Sequence, residues 1–158
     1  MNAPMRYLID GHNLIPHIPG LSLSDPDDEE KLIELLGQYS LRTRDHITVF
    51  FDKGSPSHPG VAGSYRVKPI FVPANRTADG AIAVALNRLK GEARNQTVVS
   101  SDRQVQTSAR YHHAKVIESR AFASMLNRVL EETPEPISDE LLSEEEVRKW
   151  EDLFNQGQ

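Results

Sequence analysis

The sequence predicts an α/β fold in which a mostly parallel sheet of about five strands lies between layers of helices. Short apolar runs alternate with helical patterns along the chain, which is the order of a three-layer protein with right-handed crossovers. The apolar runs are continuous rather than alternating, and this indicates strands that are covered on both faces. A length of 158 residues suits one such domain with a terminal appendage.

Five segments carry a strand pattern, and three of them end on an aspartate. These three are residues 7–10, 47–52 and 97–102, two of which are rich in β-branched residues. Residues 67–72 and 114–117 are the two further predicted strands. Because parallel strands share a direction, the side chains that follow their carboxyl ends should gather at one edge of the sheet.

Four helices are expected between and after these strands. Asp25-Pro26 predicts the cap and first turn of the first, with acidic residues following near its positive end. Thr77 is expected to cap the second helix, and residues 103–111 form a short third one. Ser119 is expected to cap the fourth helix, which has an apolar stripe.

The segments between these elements divide the chain into a domain and a tail. Residues 16–24 and 53–64 are predicted loops, and residues 133–136 resemble a linker with two prolines. The sequence therefore predicts one domain over residues 1–132 and an acidic, helical C-terminal extension over residues 133–158.

Composition excludes several classes of site. The chain has no cysteine, which rules out disulfide scaffolds, thiolate zinc sites, iron–sulfur clusters and cysteine nucleophiles. Its apolar runs are too short to span a bilayer, and its first residues show no secretory signal. The expected location is therefore the cytoplasm, with no membrane partner.

The net charge of −5 conceals an uneven distribution. Residues 131–158 hold ten acidic side chains and two basic ones, which leaves a body with a formal charge of +3. From residue 76 to residue 120 there are eight Lys or Arg and four acidic residues. A mildly basic body can bind polyanions, although an ordinary mixed surface explains the charge equally well.

Four aspartates are expected at the carboxyl edge of the sheet. Asp10, Asp52 and Asp102 each end a predicted strand, and Asp79 lies in the first turn of a helix whose N-terminus faces the same edge. Carboxylates that converge raise one another's pKa, and a hard divalent cation with oxygen ligands relieves this. The sequence therefore predicts a Mg²⁺ or Mn²⁺ site, with zinc disfavoured by the lack of Cys.

Each of these aspartates also has a purely structural explanation. Asp10 and Asp52 precede turn-forming residues, Asp79 suits a helix N-terminus, and Asp102 suits a helix cap. Other residues are expected to support the acidic site or to hold phosphates beside it. Asn13 is expected to orient a carboxylate or a bound water, Thr77 and Ser101 to supply hydroxyls, and Arg76 and Arg103 to bind phosphates.

The spacing of the motifs excludes several classes of protein that have an acidic site or bind nucleotides. A haloacid-dehalogenase phosphatase needs an aspartate where His12 stands, and a receiver domain needs an acidic pair at Gly11-His12. The sequence contains no phosphate-binding P-loop, no dinucleotide-binding glycine motif and no serine nucleophile elbow. Of the reactions that suit an acidic edge of this kind, metal-assisted hydrolysis of a phosphodiester is the one that these comparisons leave.

Four motifs in order resemble the NYN domain family of PIN-like nucleases, and most closely its YacP-like bacterial branch. They are residues 7–15 (YLIDGHNLI), 49–54 (VFFDKG), 76–79 (RTAD) and 98–104 (VVSSDRQ). The resemblance implies a PIN-like α/β/α sandwich with an acidic metal pocket and ribonuclease activity. By motif position, Asp10, Asp52, Asp79 and Asp102 form the acidic set, supported by Asn13 and Ser101. His12 stands where the family often has Tyr.

The residues and the resemblance together predict a Mg²⁺- or Mn²⁺-dependent endoribonuclease that acts on single-stranded RNA. The family branch further implies that a ribosome or another RNA–protein assembly selects the substrate. No aromatic platform for base stacking is evident, so weak sequence preference is expected. A non-catalytic RNA-binding adaptor is the alternative, and a structure-specific DNA nuclease is a weaker one because the sequence lacks a long basic helical arch.

Overall fold

The computed structural model of this protein describes residues 3–52, 66–73 and 75–132. The predicted loop at residues 53–64, the linker and the C-terminal extension lie outside these residues. In the described part, no helix is long and apolar enough to cross a membrane.

In the part of the chain that the structure describes, five parallel strands form one sheet in the order β3-β2-β1-β4-β5. Their bounds are β1 Arg6–Asp10, β2 His46–Phe51, β3 Val67–Phe71, β4 Thr97–Val99 and β5 Lys115–Ile117. The mostly parallel α/β fold predicted from the sequence is confirmed. Because β1 lies at the centre, the chain order along the sheet reverses between β1 and β4.

Within the described residues, five helices cover the two faces of the sheet. Their bounds are α1 Gly11–Leu14, α2 Asp28–Thr43, α3 Ala78–Leu89, α4 Arg103–Tyr111 and α5 Ser119–Glu132. Two 3-10 turns follow helices, Ile15–His17 after α1 and Lys90–Asn95 after α3. Helices α1, α2 and α5 pack on one face, whereas α3 and α4 pack on the other, which gives three layers.

The continuous apolar strands serve two separate cores. In β1, Tyr7 and Ile9 face the core under α2 and α5, whereas Leu8 faces the core under α3 and α4. Val49 and Phe50 divide in the same way in β2. This explains why these strands lack alternation: both of their faces exclude water.

The first long helix begins later than Asp25-Pro26 predicts. Helix α2 starts at Asp28 with Asp27 at its N-cap. The carboxylate of Asp25 instead accepts the backbone N–H of Asp27 at 2.9 Å and pairs with Lys31. Asp25 therefore stabilises the turn before the helix. Aspartate suits such a turn as well as it suits a helix N-cap.

Candidate functional site

The carboxyl ends of β1, β2 and β4 form an acidic edge at the point where the strand order reverses. Asp10 is the last residue of β1, Asp52 directly follows β2, and Asp102 lies three residues beyond β4. In open parallel sheets, ligands bind in the crevice at such a point. The topology thus places three of the four predicted aspartates where a ligand would bind.

Asp10 is the most buried carboxylate of this edge, with 8% of its surface exposed. The hydroxyl of Ser100 donates to its Oδ2 across a long 3.3 Å, and the backbone of Asn13 also donates to it. Burial above all, and then the charges of Asp52 and Asp102, raise the pKa of Asp10 to about 6 against these hydrogen bonds. The electrostatics therefore show that the three carboxylates lie close enough to interact.

Asp52 is held at the N-terminus of α3. Its Oδ1 accepts the backbone N–H of Ala78 at 2.5 Å, so the carboxylate satisfies one of the free donors of that helix. Asp79 is the next residue after Ala78 and lies half-buried in the same first turn. The N-terminus of α3 therefore lies at the edge that holds Asp52, and Asp79 belongs to its first turn.

Asp102 is the N-cap of α4. Its Oδ1 accepts the backbone N–H groups of Gln104 and Val105 at 2.8 and 3.4 Å, and its own N–H donates to Ser100 Oγ at 3.0 Å. Ser100 is fully buried. Its hydroxyl links the two aspartates, because it donates to Asp10 and accepts the backbone N–H of Asp102. This residue was missed in the sequence, where its only signal is its position directly after β4.

Asn13 ties three segments of the chain together. Its Oδ1 accepts the backbone N–H of Ser101 at 2.8 Å and the hydroxyl of Ser119 at 2.5 Å. The hydroxyl of Ser101 in turn accepts the backbone N–H of Ser119 at 3.1 Å. The side chains of Asn13 and Ser101 therefore fix the β1, β4 and β5 ends relative to one another, while the contact with Asp10 comes from the Asn13 backbone.

The remaining predicted residues lie at the two helix starts. Thr77 Oγ1 accepts the backbone N–H of Gly80 at 3.2 Å, which confirms Thr77 as the cap of α3. Arg76 immediately precedes this cap and Arg103 opens α4, and both side chains are exposed. Both arginines are therefore adjacent in sequence to residues at the acidic edge, and their side chains are exposed to solvent.

Gly11 and His12 hold the ends of β1 and β2 against each other. A Cβ on Gly11 would lie 2.9 Å from the carbonyl oxygen of Phe50, so only glycine allows this close approach. His12 Nδ1 accepts the backbone N–H of Asp52 at 3.3 Å, and its Nε2 lies 3.7 Å from Glu29 Oε1. His12 therefore positions the backbone of Asp52. The sequence did not suggest this role, since it showed only that His12 stands where the family often has Tyr.

Replacing His12 by Phe is expected to lower the free energy of unfolding by about 1 kcal/mol, because the half-buried N–H of Asp52 loses its acceptor. The aromatic packing against Phe51 is retained in this variant. His12→Asn places an amide oxygen near the position of Nδ1 and should lose less. Urea unfolding at pH 7 measures both, and equal losses in the two variants would contradict the role of the acceptor.

The carboxylate oxygens of this edge are the type of ligand that a hard divalent cation prefers. Asp52 and Asp102 each use one oxygen for backbone donors, and their second oxygens accept no hydrogen bond from the described residues. As the side chains stand, no three His, Asp or Glu residues within the described ranges are grouped as an ion would require.

Comparison with known proteins identifies relatives of the whole chain. The sequence matches the family described as the YacP-like NYN domain over residues 7–155. The crystal structure of Rae1 (YacP) from Bacillus subtilis aligns with a TM-score of 0.67 and 24% identity, over 99% of this chain and 86% of that one. A mutant of the same Bacillus subtilis protein aligns with a TM-score of 0.62 and 25% identity, over 80% and 79% of the two chains.

No curated protein matches the sequence. The family match nevertheless extends over most of the chain. The fold is that of a nuclease family, and the chain belongs to the YacP-like NYN domain family.

Proposed function

We propose that this protein is a Mg²⁺- or Mn²⁺-dependent endoribonuclease that hydrolyses phosphodiester bonds of single-stranded RNA. The observation that carries the proposal is the acidic edge itself, where Asp10, Asp52 and Asp102 follow the carboxyl ends of three neighbouring strands and where burial, and then the charges of Asp52 and Asp102, raise the pKa of Asp10. A bound divalent cation would offset the repulsion among these carboxylates, and oxygen ligands are what such ions prefer. Membership of a nuclease-like family supports the same activity.

Asp10, Asp52, Asp79 and Asp102 are the residues that would hold the cation. When bound, Mg²⁺ or Mn²⁺ supplies a more acidic water and stabilises negative charge on the phosphate. Ser100 holds the carboxylate of Asp10 and the backbone of Asp102 in register. Arg76 and Arg103, exposed beside the edge, bind phosphates of the RNA and orient it.

The charge of the two faces sets the side from which RNA approaches. Residues 25–34, which lead into and begin α2, hold six acidic side chains and one basic one. Residues 76–113, which include α3 and α4, hold six basic side chains and three acidic ones. A polyanion is therefore attracted to the α3–α4 face. A larger RNA–protein assembly, such as the ribosome, would present the RNA to this face.

The test is cleavage of a labelled single-stranded RNA by the purified chain, with matched single-stranded DNA and flap DNA beside it. Cleavage of RNA is expected in Mn²⁺ or Mg²⁺ and none in EDTA. RNA binding that is unchanged by EDTA, with no cleavage in either metal, would instead identify an adaptor. Faster cleavage of the flap DNA would identify a structure-specific DNA nuclease.

Two substitutions of Asp102 separate its role as the N-cap of α4 from its role as a carboxylate of the acidic edge. Asp102→Asn keeps a good N-cap and should leave the free energy of unfolding within about 0.5 kcal/mol, whereas Asp102→Ala should lower it by about 1 kcal/mol. RNA cleavage should fall at least about tenfold in both, because both remove a carboxylate of the edge. Urea unfolding and initial cleavage rates measure the two effects. Full activity in Asp102→Asn would show that Asp102 only caps α4.

A further inference from the structure

We propose that Glu29 is a positioning residue of the acidic edge, because it fixes the His12 imidazole that holds Asp52 in place for the divalent cation. The inference rests on the proposed function and adds a residue to its site. Glu29 lies in the first turn of α2 and is not one of the four aspartates that would hold the cation.

The backbone N–H of Asp52 needs an acceptor that the sheet does not supply. The N–H groups of alternate residues in β2 face β1, beginning with the bond that His46 donates. By this pattern the N–H of Asp52 faces the carbonyl of Gly11. The chain leaves the sheet at Gly11, however, and that carbonyl accepts the backbone N–H of Ile15. His12 Nδ1 accepts the N–H of Asp52 at 3.3 Å instead, so a side chain replaces the missing strand.

This hydrogen bond determines which nitrogen of His12 carries the proton. A backbone N–H only donates, so the accepting Nδ1 carries no proton and Nε2 carries it. Nε2 lies 3.7 Å from Glu29 Oε1, which is an electrostatic contact rather than a full hydrogen bond. The carboxylate attracts the Nε2–H group and disfavours the other tautomer. In that tautomer a lone pair would face the carboxylate, and an N–H would face the N–H of Asp52.

The surroundings of the pair make this contact effective. The imidazole of His12 packs against the ring of Phe51, with ring centroids 5.4 Å apart. Such packing does not distinguish the two flipped orientations of an imidazole, whereas the contact of Nε2 with Glu29 does. The side chains of His12 and Glu29 are 24% and 19% exposed, so their attraction is stronger than that of a fully solvated pair.

The relay from Glu29 through His12 acts on a carboxylate that would hold the cation. Asp52 is held at two points, since His12 accepts its backbone N–H and its Oδ1 accepts the N–H of Ala78. Loss of a residue that orients a metal ligand commonly lowers metal affinity by about 10–100-fold. Glu29 acts one step further away, so a loss of about three- to tenfold is expected.

The helix N-terminus offers a purely structural explanation of Glu29. An acidic side chain in the first turn stabilises a helix by its charge alone, and Glu30 in the same turn does so too. The side chain of Glu30 is exposed and forms no hydrogen bond or ion pair with the described residues. Glu30 is therefore the matched control, with the same residue type in the same turn and without His12.

Amide hydrogen exchange at Asp52, measured by NMR in EDTA, tests the relay without metal or RNA. Glu29→Leu is expected to speed this exchange about five- to tenfold relative to Ile9 in the central strand, because His12 is released. Glu29→Gln keeps an oxygen that can accept the Nε2–H group and should stay within about twofold. Glu30→Leu removes the same charge from the same turn and should leave the exchange unchanged.

Two results of this experiment would overturn the proposal. One is an unchanged exchange rate at Asp52 in Glu29→Leu. The other is an equal effect of Glu29→Leu and Glu30→Leu, because the charge at the helix N-terminus would then explain both. The imidazole ¹⁵N spectrum, assigned with His12→Asn, adds a direct check. It should show His12 protonated on Nε2, and a proton on Nδ1 instead would also overturn the proposal.

Binding of Mn²⁺ connects the relay to the cation. Free Mn²⁺ is measured by electron paramagnetic resonance during a titration of the full chain. Glu29→Leu is expected to weaken binding about three- to tenfold, and Glu29→Gln to stay within about twofold of the wild type. In His12→Asn, adding Glu29→Leu should have no further effect, because the relay is already absent. If Gln weakens binding as much as Leu, Glu29 would itself be a ligand and the positioning role would be wrong.

These results separate the positioning role from the proposed activity. A wild type that neither binds Mn²⁺ nor cleaves RNA rejects the nuclease, and the exchange at Asp52 then decides the role of Glu29 by itself. A wild type that binds Mn²⁺ and cleaves RNA, with both unchanged in Glu29→Leu, supports the nuclease and rejects the positioning role.

Discussion

Cleavage of single-stranded RNA is expected to fall by on the order of 10²–10³-fold when Asp10 is replaced by Asn. Asp10 lies at the centre of the acidic edge, where it interacts with Asp52 and Asp102 and accepts the hydroxyl of Ser100. Asn has the same shape and can keep the Ser100 contact, but it brings no charge for a divalent cation. Initial rates in Mn²⁺ measure the effect, and activity within about threefold of the wild type would contradict the proposed role.

The stability of the same variant provides the control. Burial raises the pKa of Asp10 from 3.8 to about 6, so the folded state favours the protonated form. The stability from this shift is complete below about pH 4 and is lost as the pH rises through 6, a change of about 2–3 kcal/mol. Without metal, Asp10→Asn should lack this loss and should unfold at equal or higher urea concentration than the wild type at pH 7.

Unfolding curves in EDTA at several values between pH 4 and pH 8 test this directly. The difference between wild type and Asp10→Asn isolates Asp10 from the other titrating groups. Added Mn²⁺ should raise the melting temperature of the wild type and leave that of the variant unchanged. If Asp10→Asn unfolds more easily at every pH, the loss of its activity would reflect misfolding rather than the loss of a ligand.

Asn13→Ala is expected to lower the free energy of unfolding by about 1–3 kcal/mol. The substitution leaves the hydroxyl of the fully buried Ser119 without its acceptor, and an unpaired buried group costs about 1–3 kcal/mol. The N–H of Ser101 also loses its acceptor, but it is exposed and can bond to water instead. RNA cleavage should fall as well, because the loop after β4 carries Ser100 and Asp102. Urea unfolding at pH 7 in EDTA measures the stability.

A double-mutant cycle with Ser119→Ala tests the cause. Ser119→Ala removes one of the two donors, so the two substitutions together should cost clearly less than the sum of their separate costs. Strictly additive costs, or a loss below about 0.5 kcal/mol in Asn13→Ala, would show that the bridge contributes little to stability.

The sheet and its acidic edge could be predicted from the sequence because both depend on local patterns. A continuous apolar run indicates a buried parallel strand, and a residue at its end must lie at the carboxyl edge. Asp10, Asp52 and Asp102 were placed by this reasoning alone, and Asp79 by the helix that follows a strand. The start of α2 was wrong because Asp25 and Asp27 are equally good residues for a turn and for a cap.

The contacts inside the edge could not be predicted, because they depend on segments that are far apart in the chain. Ser100 reaches Asp10 across 90 positions, and His12 reaches the backbone of Asp52 across 40. Neither residue has a local pattern that distinguishes it from an ordinary polar residue. The amide of Asn13 is expected from the sequence to orient a carboxylate or a bound water, and only the register of β1 with β4 reveals that it bridges to Ser101 and Ser119.

The bridge between Asn13 and Ser119 joins residues that are 106 positions apart. A chain emerging from its N-terminus displays Asp10 and Asp52 long before the partner of Asn13 has been synthesised. A fragment that ends before Ser119 lacks the hydrogen bonds that hold the β1, β4 and β5 ends together. The acidic edge is therefore fully held in place only after α5, which begins at Ser119, has docked.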